Sequence, residues 1–284
     1  MVDVPYISPA EIVARYDVVL LDAYGVLNDH AGPTAGAAPF LRRLAKASRG
    51  WGVVSNDASR LPERAEARYA GFGLTIPAAR IVMSGAVLAP HFAAAGLQGA
   101  RCLVLGPDDA AAWVQRAGGH PVDWDDPEPR ARAIVVCDDD GYDFLRGIEA
   151  AVGAAIDRLD AGAPLDLVLP NPDLVYPRGP DRLGLTAGSV AMVIEAALRT
   201  RYPATPPRFV ALGKPARAIF DLARDQLAVP PDARVVMIGD QLGTDIAGAH
   251  AAGIDSILVA GGVTSLSALT DDGPRPTFLL DALG

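Results

Sequence analysis

Asp22, Ser55, Lys214, Asp240 and Asp245 are the residues whose types and surroundings could do chemistry. Each lies at or just after a short apolar run. Asp22 follows Val18-Val19-Leu20-Leu21, and Ser55-Asn56 follows Trp51-Gly52-Val53-Val54. Lys214 follows Phe209-Val210-Ala211-Leu212-Gly213, and Asp240 follows Val235-Val236-Met237-Ile238-Gly239, with Asp245 shortly after. A carboxylate such as Asp22 can attack phosphorus and divide one hard hydrolysis into two easier steps through an aspartyl phosphate. Two more carboxylates in the pattern G-D-x-x-x-x-D suit a hard cation such as Mg2+, which takes oxygen ligands and offsets repulsion between an anionic nucleophile and a phosphate dianion. Lys214 would set an ammonium beside the nucleophile and the transferring oxygens. Ser55 and Asn56 would offer a hydroxyl and a backbone N–H to phosphate oxygens, near the start of the next helix. Each has a plainer role when taken alone: Asp22 as a strand end, Asp245 as a helix cap, Lys214 as a solvated charge and Ser55-Asn56 as a turn. The ordered set favours the catalytic reading.

The elements that must position these residues follow from the same runs. Four or five aliphatic residues bounded by turn residues read as buried parallel strands. In an open parallel sheet, ligands bind at the carboxyl ends of the strands, so the four runs should deliver their polar ends to one rim. Helices are expected over Ala37–Ser48, Pro62–Ala70, Ala216–Gln226 and Asp245–Ala252. The strand–helix alternation predicts an α/β chain with a doubly wound, Rossmann-like parallel sheet. About 160 residues separate Ser55 from Lys214, far more than one βαβ unit needs. That stretch holds its own alternation: strands at Arg101–Leu105, Ala133–Cys137 and Leu165–Leu169, and helices at Ala110–Ala117 and Tyr142–Leu159. It reads as an inserted α/β cap domain at 85–172, with 1–84 and 173–284 forming the core.

The chain has 284 residues, half of them apolar, and a formal net charge of −9. That is enough to bury a sizeable core, and the acidity argues against nucleic acid or an anionic membrane as the main partner. No apolar stretch approaches a membrane span, and Met1–Tyr6 lacks a secretory pattern, so a cytoplasmic location is expected. The two cysteines, Cys102 and Cys137, each sit in an expected strand and read as buried thiols, since two residues make neither a metal set nor a disulfide framework.

The motifs resemble the haloacid dehalogenase superfamily, in particular its branch of pyridoxal, phosphoglycolate, nitrophenyl and sugar phosphatases. The resemblance rests on Asp22-Ala23-Tyr24-Gly25-Val26-Leu27, Val54-Ser55-Asn56-Asp57, Gly213-Lys214-Pro215 and Gly239-Asp240-Gln241-Leu242-Gly243-Thr244-Asp245. Asn171-Pro172-Asp173, where that branch returns from its cap, and Gly261-Gly262-Val263-Thr264-Ser265 add to it. It implies Mg2+-dependent transfer through Asp22 to a small phosphorylated substrate, with Asn56, Asn171 and the cap residue Asp139 helping to bind that substrate. It also implies a homodimer formed through the cap. The metal set it implies is Asp22, Asp240, the backbone carbonyl of Tyr24 and Asp245, the last as a direct or outer partner.

Tyr24 departs from the phosphatase pattern. That position normally holds a second Asp, which protonates the leaving alcohol and later activates water. The dehalogenase members carry Tyr there and need no metal, yet this chain keeps Asp240 and Asp245. Tyr24 either donates weakly, since a phenol titrates near pKa ~10, or packs. Three functions stand: a Mg2+-dependent phosphohydrolase, a hydrolase of carbon–halogen type, and a metal- or phosphate-binding protein without turnover. Arg60 and Arg178 are candidates to meet an anionic substrate tail, and His30 lies where the family has a flap.

Overall fold

The computed structural model describes residues 4–126, 130–179, 182–270 and 272–284. Six strands form one wholly parallel sheet in the order Phe278–Leu280, Asp255–Val259, Val235–Gly239, Val18–Leu21, Gly50–Ser55 and Ile81–Met83. The strand that ends at Asp22 lies in the middle, between the strands that lead to Asp240 and Ser55. All four residues of Val18–Leu21 are buried, which is why this run shows no alternation in sequence. The helices Ala37–Lys46, Pro62–Gly71, Arg217–Gln226 and Ala247–Ala252 alternate with these strands. Their inward residues, among them Phe40, Leu44, Ala65, Tyr69, Ile219 and Phe220, pack into one cluster with the sheet.

A second parallel sheet has the order Val210–Ala211, Asp166–Leu169, Ala133–Val136, Arg101–Leu105 and His120–Val122. One of its faces, through Cys102, Val104 and Val135, joins the first core by way of Phe92 and Trp113. The other face, through Leu103, Leu105, Ile134 and Val136, packs under helices Phe144–Asp160 and Ala187–Arg201. Both faces are thus covered, as a parallel sheet requires. An antiparallel hairpin, Val175–Gly179 with Arg182–Leu185, leads from the second sheet toward helix Ala187–Arg201. A smaller hairpin, Asn28–Asp29 with Gly32–Pro33, follows Tyr24. Both cysteines are buried and free.

Three expectations need correction. The run Phe209–Leu212 is not a strand of the first sheet. Val210–Ala211 forms the edge of the second sheet against Val168–Leu169, and both residues are exposed. Both sides of the Val18–Leu21 strand are already occupied, so this run has no place beside it. The chain also stays with the second sheet beyond residue 172, since helix Ala187–Arg201 and strand Val210–Ala211 both belong to that layer. Finally, Asp245 does not open an α-helix. It sits in a π-turn, Leu242–Ile246, and the helix begins at Ala247. Among the described residues, no helix is long and apolar enough to cross a membrane. Within the stretch expected between the cap strands, residues 127–129 lie outside the described residues.

Candidate active site

Asp22, Asp240 and Asp245 each direct a carboxylate oxygen into one buried cluster, with the three oxygens within 4.8 Å of one another. Lys214 closes it, its Nζ donating to Asp22 Oδ1 and to Asp245 Oδ1, both at 2.6 Å. All four side chains are nearly or fully buried. Three carboxylates against one ammonium leave two formal negative charges out of water. Burial raises the Asp22 carboxyl well above its usual value. The Lys214 charge works against that rise, and the charges of Asp245 and Asp240 add to it. Asp240 is pushed up to about 7, first by burial and then by Asp245. For Lys214 burial works against the charge, but Asp22, Asp245 and Asp173 outweigh it and hold the ammonium ionised. A buried cluster with this excess of negative charge must either take up protons, as the raised carboxyls of Asp22 and Asp240 do, or hold a further cation.

The oxygen donors fit a hard divalent ion. Asp240 Oδ1 is buried and has no hydrogen-bond partner, whereas Oδ2 accepts from Val263 N at 2.8 Å. Asp245 has no such spare oxygen: Oδ1 takes Lys214, and Oδ2 accepts from the backbone N–H groups of Asp240 and Gln241 at 3.2 and 3.1 Å. Asp245 is therefore built to orient Asp240 and Lys214. Glycine is needed where the backbone crosses this cluster. A Cβ on Gly25, whose φ is +89°, would lie 2.2 Å from Asp240 Oδ2, and one on Gly262 would lie 2.2 Å from Asp240 Cβ.

The lysine is delivered by a clasp. Asn56 Oδ1 accepts from Lys214 N at 2.7 Å, and Asn56 Nδ2 donates to Lys214 O at 3.0 Å and to Asp173 Oδ1 at 2.8 Å. The Lys214–Pro215 peptide is cis. Ser55 ends its strand with Oγ accepting from Asp57 N at 3.2 Å. Asn171 is also engaged: its Nδ2 donates to Thr186 Oγ1 at 3.0 Å and its Oδ1 accepts from Asp173 N at 3.1 Å. The amides of Asn56 and Asn171 therefore brace loops as well as facing the cleft.

Above the cluster is a cleft of about 650 Å3 lined by both layers. Asp22, Ser55 and Lys214 line it from the first sheet's rim, and Asp138, Asp139 and Asp140 from the loop after strand Ala133–Val136. The hairpin contributes Val175, Tyr176, Pro177 and Arg178. Burial, with the side-chain hydrogen bond between Asp138 and Asp139, pushes the Asp138 carboxyl up to about 7, against the lowering effect of the Asp139 backbone N–H. Arg60 is tied to Asp57 within the first layer, while Arg178 lies on the cleft wall. His30 lines a side cavity with Tyr24, Arg68 and Arg178. The role of Asp173 beside Asn56 and Lys214 and the hairpin that carries Arg178 are not evident from sequence alone: Asn171-Pro172-Asp173 marks Asp173, but the hairpin leaves no periodic trace.

Two family models match this chain: haloacid dehalogenase-like hydrolase over residues 19–120 and HAD-hydrolase-like over residues 211–284. Chronophin from Rattus norvegicus is 30% identical over 265 residues, spanning 90% of this chain and 80% of that protein. D-glycerol 3-phosphate phosphatase from Mycobacterium tuberculosis is 30% identical, over 94% of this chain and 70% of that protein. A solved structure from Cytophaga hutchinsonii, described as a possible sugar phosphatase of the HAD superfamily, superposes with a TM-score of 0.85 at 26% identity, covering 99% of each chain. The glycerol phosphate phosphatase of Mycobacterium tuberculosis, solved in complex with magnesium, gives a TM-score of 0.75 at 28% identity, covering 96% of this chain and 77% of that one.

Proposed function

Because the chain belongs to the haloacid dehalogenase superfamily of hydrolases, and its relatives over most of its length are named phosphatases, we propose that it is a Mg2+-dependent phosphatase of a small phosphorylated metabolite, acting through Asp22. The observation that carries this reading is the buried Asp22–Asp240–Asp245 oxygen cluster bridged by Lys214 beneath an open polar cleft. Asp22, Asp240 through its free Oδ1, and the backbone carbonyl of Tyr24 would hold the ion, with Asp245 behind them. When bound, the ion supplies charge to offset the phosphate dianion and polarise its oxygens.

The chain's own residues do the rest. Lys214 engages Asp22 Oδ1, which leaves Oδ2 as the attacking atom. In the first step an Oδ2–P bond forms and the bond from phosphorus to the leaving oxygen breaks, with its electron pair staying on that oxygen. In the second, water attacks phosphorus and releases a proton to solvent, which offsets the negative charge that left on the first oxygen; the P–Oδ2 bond breaks, its electron pair returns to Asp22, and inorganic phosphate departs from a regenerated carboxylate. Lys214 and the Ser55 hydroxyl stabilise charge on the transferring oxygens. Asn56, Asn171 and Asp139 shape the part of the cleft that takes the substrate. The carbon–halogen reading draws its support from Tyr24, but it leaves the unpartnered Asp240 Oδ1 without a purpose.

Hydrolysis of nitrophenyl phosphate with and without Mg2+ tests this function. Release of nitrophenol that needs the metal and disappears in Asp22→Asn is expected. Release that persists in excess chelator, or halide release from a haloacid, would overturn it.

A further inference from the structure

The Tyr24 phenol is committed to the hairpin: its O–H donates to the backbone carbonyl of Pro177. Its ring meets Tyr176 edge-on, with centroids 6.3 Å apart. On its other side Tyr24 is fixed to the nucleophile loop, where it bridges to Asn28 and where Gly25 N donates to Asn28 O at 2.7 Å. We propose that Tyr24 is a positioning residue, a latch that seats the Val175–Leu185 hairpin over the cleft and so sets which leaving groups bind. The proposal rests on the phosphatase reading for its kinetic consequence, but not for its structural one.

The hairpin needs such a latch. Its two short strands carry a register shift between Pro177 and Gly179, and Leu183 and Leu185 are exposed. Its base is held by Thr186 N donating to Leu174 O at 3.1 Å and by Ser189 Oγ donating to the same oxygen at 2.6 Å. Near its shifted end, the side-chain hydrogen bond to the first layer among the described residues is that of the Tyr24 hydroxyl. Tyr176 lies across Gly184, where a Cβ would come within 2.5 Å of the ring. Seating the hairpin therefore fixes the Tyr176 ring, and it carries Arg178 onto the same cleft wall. An aromatic face and a guanidinium suit an aryl leaving group, the more so one that carries a negative charge. An aryl oxygen is weakly basic and departs without a donated proton, which agrees with a phenol whose proton is already committed.

Amide hydrogen exchange on the full chain, wild type against Tyr24→Phe, tests the latch directly. Loss of one hydrogen bond should speed exchange in residues 175–185 by about 3- to 10-fold, leaving strand Val18–Leu21 unchanged. With nitrophenyl phosphate the variant should raise KM by a similar factor of about 3 to 10, and the basic limb of the kcat–pH profile should stay in place. In a Tyr176→Ala background the same substitution should add little, because both act through one hairpin. Unchanged exchange in 175–185 would overturn the latch. So would a loss in kcat at constant KM with a displaced basic limb, since that would make Tyr24 the proton donor. If the wild type hydrolyses nothing, the phosphatase reading fails, and the exchange result still decides the latch.

Discussion

Asn56 grips Lys214 by both of its backbone polar groups, accepting from its N–H at 2.7 Å and donating to its C=O at 3.0 Å. One side chain thereby imitates the pair of hydrogen bonds that a neighbouring strand would make. It does so at the point where the chain leaves an edge strand of one sheet and must enter the rim of the other, beside Asp22.

Removing that grip should misplace the ammonium. Asn56→Ala leaves the buried Lys214 peptide groups unpaired and should cost about 1–3 kcal/mol of stability. It should lower kcat for nitrophenyl phosphate by about 10-fold or more, because positioning of a charged group is lost. Thermal melts and steady-state kinetics check both. Wild-type kcat in Asn56→Ala would show that Lys214 finds its place unaided.

Asp240→Asn should have opposite effects on metal binding and on the metal-free fold. Titration calorimetry should show Mg2+ affinity falling by about 10-fold or more, in the range seen when a metal site is perturbed. Equal affinity in both proteins would reject the site. Without metal, the variant should melt higher than the wild type, because burial and the charge of Asp245 raise the Asp240 carboxyl to about 7 and the neutral amide escapes that repulsion.

Tyr24→Asp tests the missing acid. The wild type should hydrolyse aryl or acyl phosphates far better than alkyl phosphates, since an alkoxide needs a proton in order to leave. The substitution should raise kcat for an alkyl sugar phosphate by about 10-fold or more, with an accompanying rise in KM from the lost contact to Pro177. Equal wild-type turnover of the aryl and alkyl esters would mean that an acid is already present.

The Asp138 carboxyl, pushed up to about 7 by burial and its neighbour Asp139, makes a prediction about pH. The folded protein holds this proton after the unfolded chain, with a carboxyl near 3.9, has lost it. Between about pH 4 and 7 the folded state thus binds more protons, and stability falls as pH rises through that window. Asp138→Asn removes the penalty. It should match the wild type near pH 4 and exceed it by about 1 kcal/mol at pH 8, less than the full shift implies because the carboxylate still reaches water. Equal melting offsets at both pH values would contradict this.

The sequence displayed the parts of the site that depend on buried strands. The runs ending at Asp22, Ser55 and Asp240 are aliphatic because both faces of their sheet are covered, and their polar ends meet as expected. The Phe209–Leu212 run misled because an exposed edge strand and a buried central one can share a composition. Val210 and Ala211 are exposed, and which sheet they join is decided by long-range pairing with Val168 and Leu169. The hairpin over the cleft was illegible for a related reason. Val175-Tyr176-Pro177-Arg178-Gly179 contains a proline and a register shift, so it shows no period-two pattern. The hydrogen bond that gives it purpose joins Tyr24 to a backbone oxygen, a partner with no side-chain signature.

The edge strand Val210–Ala211 makes the two layers inseparable in a specific way. Asp22 is anchored in one sheet, while the Lys214 ammonium that meets it arrives on a thread from the other. Excising the insertion would remove the strand Asp166–Leu169 on which that thread is held, and leave Lys214 to the grip of Asn56 and the two carboxylates. New substrate preferences are then most readily reached at the hairpin, which can change without disturbing the thread.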